Sequence, residues 1–135
     1  MLGGLISDAI FTKTGNLNLA RKIIMGIAAL LMLPVLFVKV ALPPGSVILI
    51  MCIAFFAHGL WITNYITSIA DTFGRTVTST VVGLSGTAGA ISAFVINPVI
   101  GLIITRFSYS PMWIYAGSMY LVAFTGFVIF VPKIK

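Results

Sequence analysis

The chain has no glutamate and only two aspartates, Asp8 and Asp71, among its 135 residues. Charged residues of both signs make up 7% of it, where a soluble domain carries about 25%. So few charges cannot coat a water-facing surface, which excludes an ordinary soluble domain. One cysteine, Cys52, leaves no partner for a disulfide and no spacing for a thiolate metal site. Within an apolar run it reads as a small buried hydrophobe. One histidine, His58, excludes a paired-histidine metal motif. No Gly-x-Ser-x-Gly is present, and Ser85, in Gly83-Leu84-Ser85-Gly86, has no evident base. A membrane enzyme needs intramembrane acids, bases or metal ligands. The chain is therefore read as no enzyme, with no cofactor and no metal. The opening Met1-Leu2-Gly3-Gly4 lacks the basic region of a cleavable signal peptide.

What is present is apolar. Hydrophobic residues make up 60% of the chain, and its mean hydropathy is +1.19. Lipid is the solvent that fits this composition. Four long apolar stretches run over 23–41, 47–70, 77–104 and 112–131. Each reaches the roughly 20 residues that cross a bilayer core as a helix. Helix is the expected form because backbone amides in lipid must be satisfied within the segment. Residues 1–7 read as the last turns of a helix begun upstream, and 8–22 as a polar loop. Turn chemistry separates the spans at Pro43-Pro44-Gly45, at 71–76 and at Ser108-Tyr109-Ser110-Pro111. Pro34 and Pro98 fall inside spans, where each removes a helix hydrogen bond and can kink the chain.

Eight Lys and Arg residues give a net charge of +6. They stand at the ends of apolar runs and form no stripe, which suits anionic headgroups and not nucleic acid. Crossing four spans in turn puts Lys13, Arg21, Lys22, Arg75, Lys133 and Lys135 on one side, and Lys39 and Arg106 on the other. The richer side is expected to be cytoplasmic, the C-terminus included.

The second full span carries a polar stripe. At 100° per residue His58, Trp61, Asn64, Tyr65, Ser68 and Asp71 fall within an arc of about 140°. Such a stripe faces either a cavity or neighbouring helices. As a whole it favours a cavity lining, although Asn64 alone fits helix-to-helix hydrogen bonding equally well. His58 is either a titrating group or a neutral donor to a nearby carbonyl. The third full span places Gly83, Gly86, Ala90, Ala93, Asn97 and Gly101 within about 80°. That is a face on which another helix can pack closely.

Gly4-Leu5-Ile6-Ser7-Asp8, followed by Lys13, Gly15 and Arg21-Lys22, resembles the G-x-L-x-D-(basic)-G loop signature of the major facilitator superfamily. Four spans follow it, so it resembles the copy after helix eight, and the spans would match helices nine to twelve. Ala57-His58-Gly59-Leu60-Trp61-Ile62-Thr63-Asn64, then Ala70-Asp71-Thr72-Phe73, resembles helix ten of the anion:cation symporter family, with the hexuronate branch nearest. Residues 82–89 resemble its glycine-rich helix eleven, and 108–111 with 116–121 its last loop and helix twelve. Two positions depart from the pattern: Ala9 where a basic residue is usual, and Gly74 where proline is frequent.

The resemblance implies an all-α polytopic membrane bundle, the C-terminal part of a transporter at the bacterial inner membrane. It implies a small organic anion, a hexuronate or related sugar acid, carried by alternating access with a proton, or sodium, as coupling ion. An N-terminal half would complete it. His58, Trp61 and Asn64 would line the sugar-acid site; Tyr65 and Ser85 complete the candidate set. A small oligomeric membrane protein and a non-transporting membrane subunit are the alternative readings.

Overall fold

The computed structural model describes residues 2–38 and 42–131. Helix α1 covers Leu2–Thr14 and α2 covers Leu17–Leu31, which a 3-10 segment, Leu33–Phe37, prolongs. Helices α3 (Pro44–Phe73), α4 (Arg75–Phe107) and α5 (Ser110–Phe130) follow. No strand occurs among the described residues. Leu17–Phe37, Pro44–Phe73, Thr76–Phe107 and Ser110–Phe130 are long and apolar enough to cross a bilayer. The protein is an all-α, multi-pass membrane bundle. Lys39, Lys133 and Lys135 lie outside the described residues, as do the side chains of Asp8 and Arg75.

The helices reach further into the polar connections than hydropathy suggests. The expected loop 8–22 is helical except at Gly15 and Asn16. Thr12 and Thr14 donate their hydroxyls to the carbonyls of Ala9 and Ile10, so the polar end of α1 stays wound. Gly15 ends it at φ +64°, a conformation that glycine adopts without steric cost. Asn16 then caps α2, its side chain accepting from the Leu19 N–H at 3.1 Å. Hydropathy marks the part of a helix that sits in lipid, and a helix continues past that edge wherever its polar residues can cap it.

Proline explains the other departure. The span expected over 23–41 starts at Leu17 and leaves α-helix after Leu31. Pro34 has no N–H for the Leu30 carbonyl and its ring crowds that oxygen, so the chain tightens into 3-10. Pro98, by contrast, is absorbed within α4. The break expected over 71–76 shrinks to Gly74, at φ +79°. A proline there, as the resemblance suggests, is barred from that φ.

The core sits on α2. Ile24, Met25, Ala28 and Ala29 are buried, as is Ala57 of α3, and Leu60 of α3 packs with Ile24 and Ala28. Helix α5 closes over the 3-10 segment at Gly117. A Cβ there would lie 2.8 Å from Leu36 Cδ2 and 3.1 Å from its backbone nitrogen. Gly26 makes room in the same way for the Phe124 ring. The close approach expected at the small face of α4 is not made within this chain. A Cβ on Gly83, Gly86 or Gly101 would meet nothing within 4 Å, and Ala90 is exposed. None of the described side chains of α4 is buried. Cys52, expected to be buried, is exposed as well, because it shares the outer face of α3 with Ile48, Leu49, Phe55 and Phe56.

One guanidinium joins three helices. Arg21 on α2 is 6% exposed. Its Nε–H donates to Asp71 Oδ2 of α3 at 3.1 Å, and Nη1 donates to the buried Ser7 hydroxyl of α1 at 2.7 Å. Of the other signature residues, Lys13 is exposed at the end of α1, and the backbone of Gly4 and Asp8 lies within that helix.

Three outcomes follow from this packing. Gly117→Ala is expected to destabilise the protein by about 1–3 kcal/mol through overpacking against Leu36, read as a lower melting temperature in detergent. Gly59→Ala, with open space around it, is expected to leave that temperature unchanged or raise it. Asp71→Ala removes the counter-charge of a buried guanidinium and is expected to cost about 3 kcal/mol or more. An unchanged unfolding midpoint on SDS titration would show instead that the pair behaves as a solvated surface contact.

Candidate functional site: a groove between α3 and α5

The polar arc of α3 divides between two neighbours. Asn64 is fully buried on the side that holds Ala57 and Leu60, the side packed on α2. Its amide donates to the Leu60 carbonyl at 3.0 Å. Ser68, also buried, donates to the Asn64 carbonyl at 2.6 Å. Thr63, Thr67 and Thr72 donate to the carbonyls four residues before them. These short side chains return their polar groups to their own helix, as Ser and Thr commonly do. The serine and threonine hydroxyls among them need neither a cavity nor a partner helix to be satisfied, whereas the buried Asn64 Oδ1 finds no donor on its own helix.

His58, Trp61 and Tyr65 occupy the other edge of the arc and turn toward α5. They line a groove of about 510 Å³ together with Tyr120, Ala123 and Phe127. That volume suits a small molecule. Tyr65 and Phe127 also border an adjoining hollow of about 340 Å³ that runs past Ser68 and Thr72 to Val81 of α4. The groove is apolar and aromatic, with polar atoms concentrated at His58, Tyr65 and Tyr120. Among the described residues no Lys or Arg lines it.

Tyr120 organises one wall. Its hydroxyl lies 2.5 Å from His58 Nδ1, a hydrogen bond between α5 and α3. Its ring meets the Trp61 indole edge-on, with centroids 5.4 Å apart and an interplanar angle of 78°. Edge-to-face pairs of this kind are favoured by the aromatic quadrupole. The His58 ring is set edge-on to Tyr120 as well, at 83°.

The structure thus brings three of the five expected site residues together: His58, Trp61 and Tyr65. Asn64 faces the packed side of α3. Ser85 stands on α4, where its hydroxyl donates to the Val82 carbonyl at 3.2 Å, and it borders neither hollow. Tyr120 is the residue that sequence reasoning left without a role. Its place at the centre of an apolar span did not single it out, because the same helix carries Trp113, Tyr115, Phe124, Phe127 and Phe130. The Arg21–Asp71 pair, by contrast, was legible, since Asp71 is one of only two acids and the spans place it on the side of Arg21. Among the described residues no three His, Cys, Asp or Glu side chains gather as a metal site.

Comparison with known proteins gives this geometry a context. The chain is 32% identical over its full length to a protein of Escherichia coli (strain K12) named "Probable galactarate/D-glucarate transporter", covering 30% of that protein. It is 29% identical over 98 residues, 73% of the chain and 23% of the relative, to the hexuronate transporter of the same organism. The chain therefore spans less than a third of the length of these relatives. Both are named as transporters and neither as an enzyme. No family model and no solved structure matches. The full-length relationship and the motifs agree: the chain is similar to sugar-acid transporters, and its second and third full spans resemble the anion:cation symporters of the major facilitator superfamily.

Proposed function

We propose that the chain is the C-terminal part of a secondary transporter that takes up a hexuronate or related sugar acid with a proton, by alternating access. An N-terminal half completes the carrier. It resides in the bacterial inner membrane with the C-terminus in the cytoplasm, the side on which Lys13, Arg21 and Lys22 are placed by the positive-inside rule. The observation that carries this reading is the full-length relationship to a galactarate/D-glucarate transporter, joined to a groove that runs from mid-span to the C-terminal end of α5 and whose polar groups are few and clustered.

The chemistry of the groove suits half of such a ligand. Trp61 offers a flat apolar face to the carbon skeleton of a sugar acid. His58 and Tyr65 offer hydrogen bonds to hydroxyls, and the Tyr120 hydroxyl is bonded to His58. Among the described residues the groove lining holds no cation for the carboxylate, so that charge is met from the other half of the carrier. Alternating access needs two bundles rocking about a site near the bilayer centre, and His58 lies midway along α3. A small oligomeric exporter would need an acid facing the pathway. Asp71 is instead engaged by Arg21.

In cells expressing the complete transporter, Trp61→Ala is expected to reduce uptake of labelled sugar acid roughly tenfold or more, about 1.4 kcal/mol in apparent affinity, with membrane abundance unchanged. Normal uptake by that variant would remove the groove from the transport pathway. Asn64→Ala is expected to act differently, lowering abundance or melting temperature more than uptake per molecule.

A further inference from the structure

We propose that Tyr120 is a positioning residue for the groove: it fixes His58 in the tautomer that donates to the ligand and holds the Trp61 ring at its working angle. This rests on the sugar-acid reading above. His58 sits at the middle of α3 and Tyr120 at the middle of α5, so their hydrogen bond lies near the centre of the span. There, neither side chain can reach water at a membrane surface, and neither can fold back onto its own helix as Asn64 and Ser68 do.

The tautomer of a neutral histidine is set by what its bonded nitrogen accepts or donates. When the Tyr120 hydroxyl donates to Nδ1, the ring proton resides on Nε2. Nε2–H is then a donor, and a donor is what a hydroxyl or carboxylate oxygen requires. The second contact of Tyr120, edge-on to Trp61, limits the tilt of the indole that would face the sugar skeleton. One residue of α5 therefore sets two residues of α3. Its part in binding is indirect, which separates a hydroxyl effect from a ring effect: phenylalanine keeps the ring against Trp61 and loses the tautomer control.

The test is a double-substitution cycle in the complete transporter, with uptake of labelled galactarate and of a labelled hexuronate measured against concentration. Tyr120→Phe is expected to raise the concentration for half-maximal uptake about tenfold for at least one of the two, with abundance and maximal rate little changed. His58→Gln is expected to do the same, and the double variant to be no worse than either single one, because both remove one interaction. Tyr120→Leu, which also loses the ring, is expected to be more impaired than Tyr120→Phe. If Tyr120→Phe transports both substrates as the parent does, or if the two single effects multiply in the double variant, Tyr120 does not act through His58. If the parent takes up neither substrate, the sugar-acid reading fails and this inference falls with it.

Discussion

A polar side chain inside a bilayer has no water to turn to, so each one must be satisfied by the chain itself or by a wetted surface. That constraint sorts the polar residues of this protein by reach. Short ones bond to their own helix: Asn64 to Leu60, Ser68 to Asn64, Thr72 to Ser68. Long ones bridge helices. Arg21 spans from α2 to α1 and α3, and Tyr120 spans from α5 to His58 on α3. The packing follows these bridges as much as it follows the apolar core.

Helix α3 is the element on which both bridges converge. Near its C-terminal end Asp71 is held by Arg21, and at its middle His58 is held by Tyr120. Between them one face packs on α2 through Leu60, and the adjacent edge borders the groove. A helix fixed at its end and lined with aromatics at its middle is a suitable wall for a binding site, because its side chains sit on a rigid element. Helix α4 contrasts with it. Its small-residue face meets nothing in this chain, and its apolar side chains, such as Leu84, Phe94 and Leu102, are exposed. These are surfaces suited to lipid or to the rest of a longer carrier.

Much of the fold was legible because the bilayer imposes so few solutions. Hydropathy located four spans, and the structure has four helices of that kind. It missed the helical ends at 8–14 and 17–22, because hydropathy is blind to helix that lies outside lipid. It ran one span through Pro34 with a kink expected there, and the missing N–H instead gives a 3-10 segment. The candidate site was half legible. Angular position put six residues of α3 on one arc, but an arc of that width can serve two neighbours, and only the packing shows which. Asn64 went to α2, while His58, Trp61 and Tyr65 went to the groove. Tyr120 and the Gly117–Leu36 contact depend on which helix packs against which, and one sequence does not contain that information in periodicity.

The central claim is that the His58 edge of α3 is wetted while the Asn64 edge is not. It is tested most directly by single cysteines at 58, 65 and 120, and at 64 as the contrast, in a Cys52→Ser background of the complete transporter. Each would be probed with a membrane-impermeant thiol reagent with and without sugar acid. The account expects labelling at 58, 65 and 120 that the sugar acid suppresses, and none at 64. Labelling at 64 with silence at the other three would contradict it.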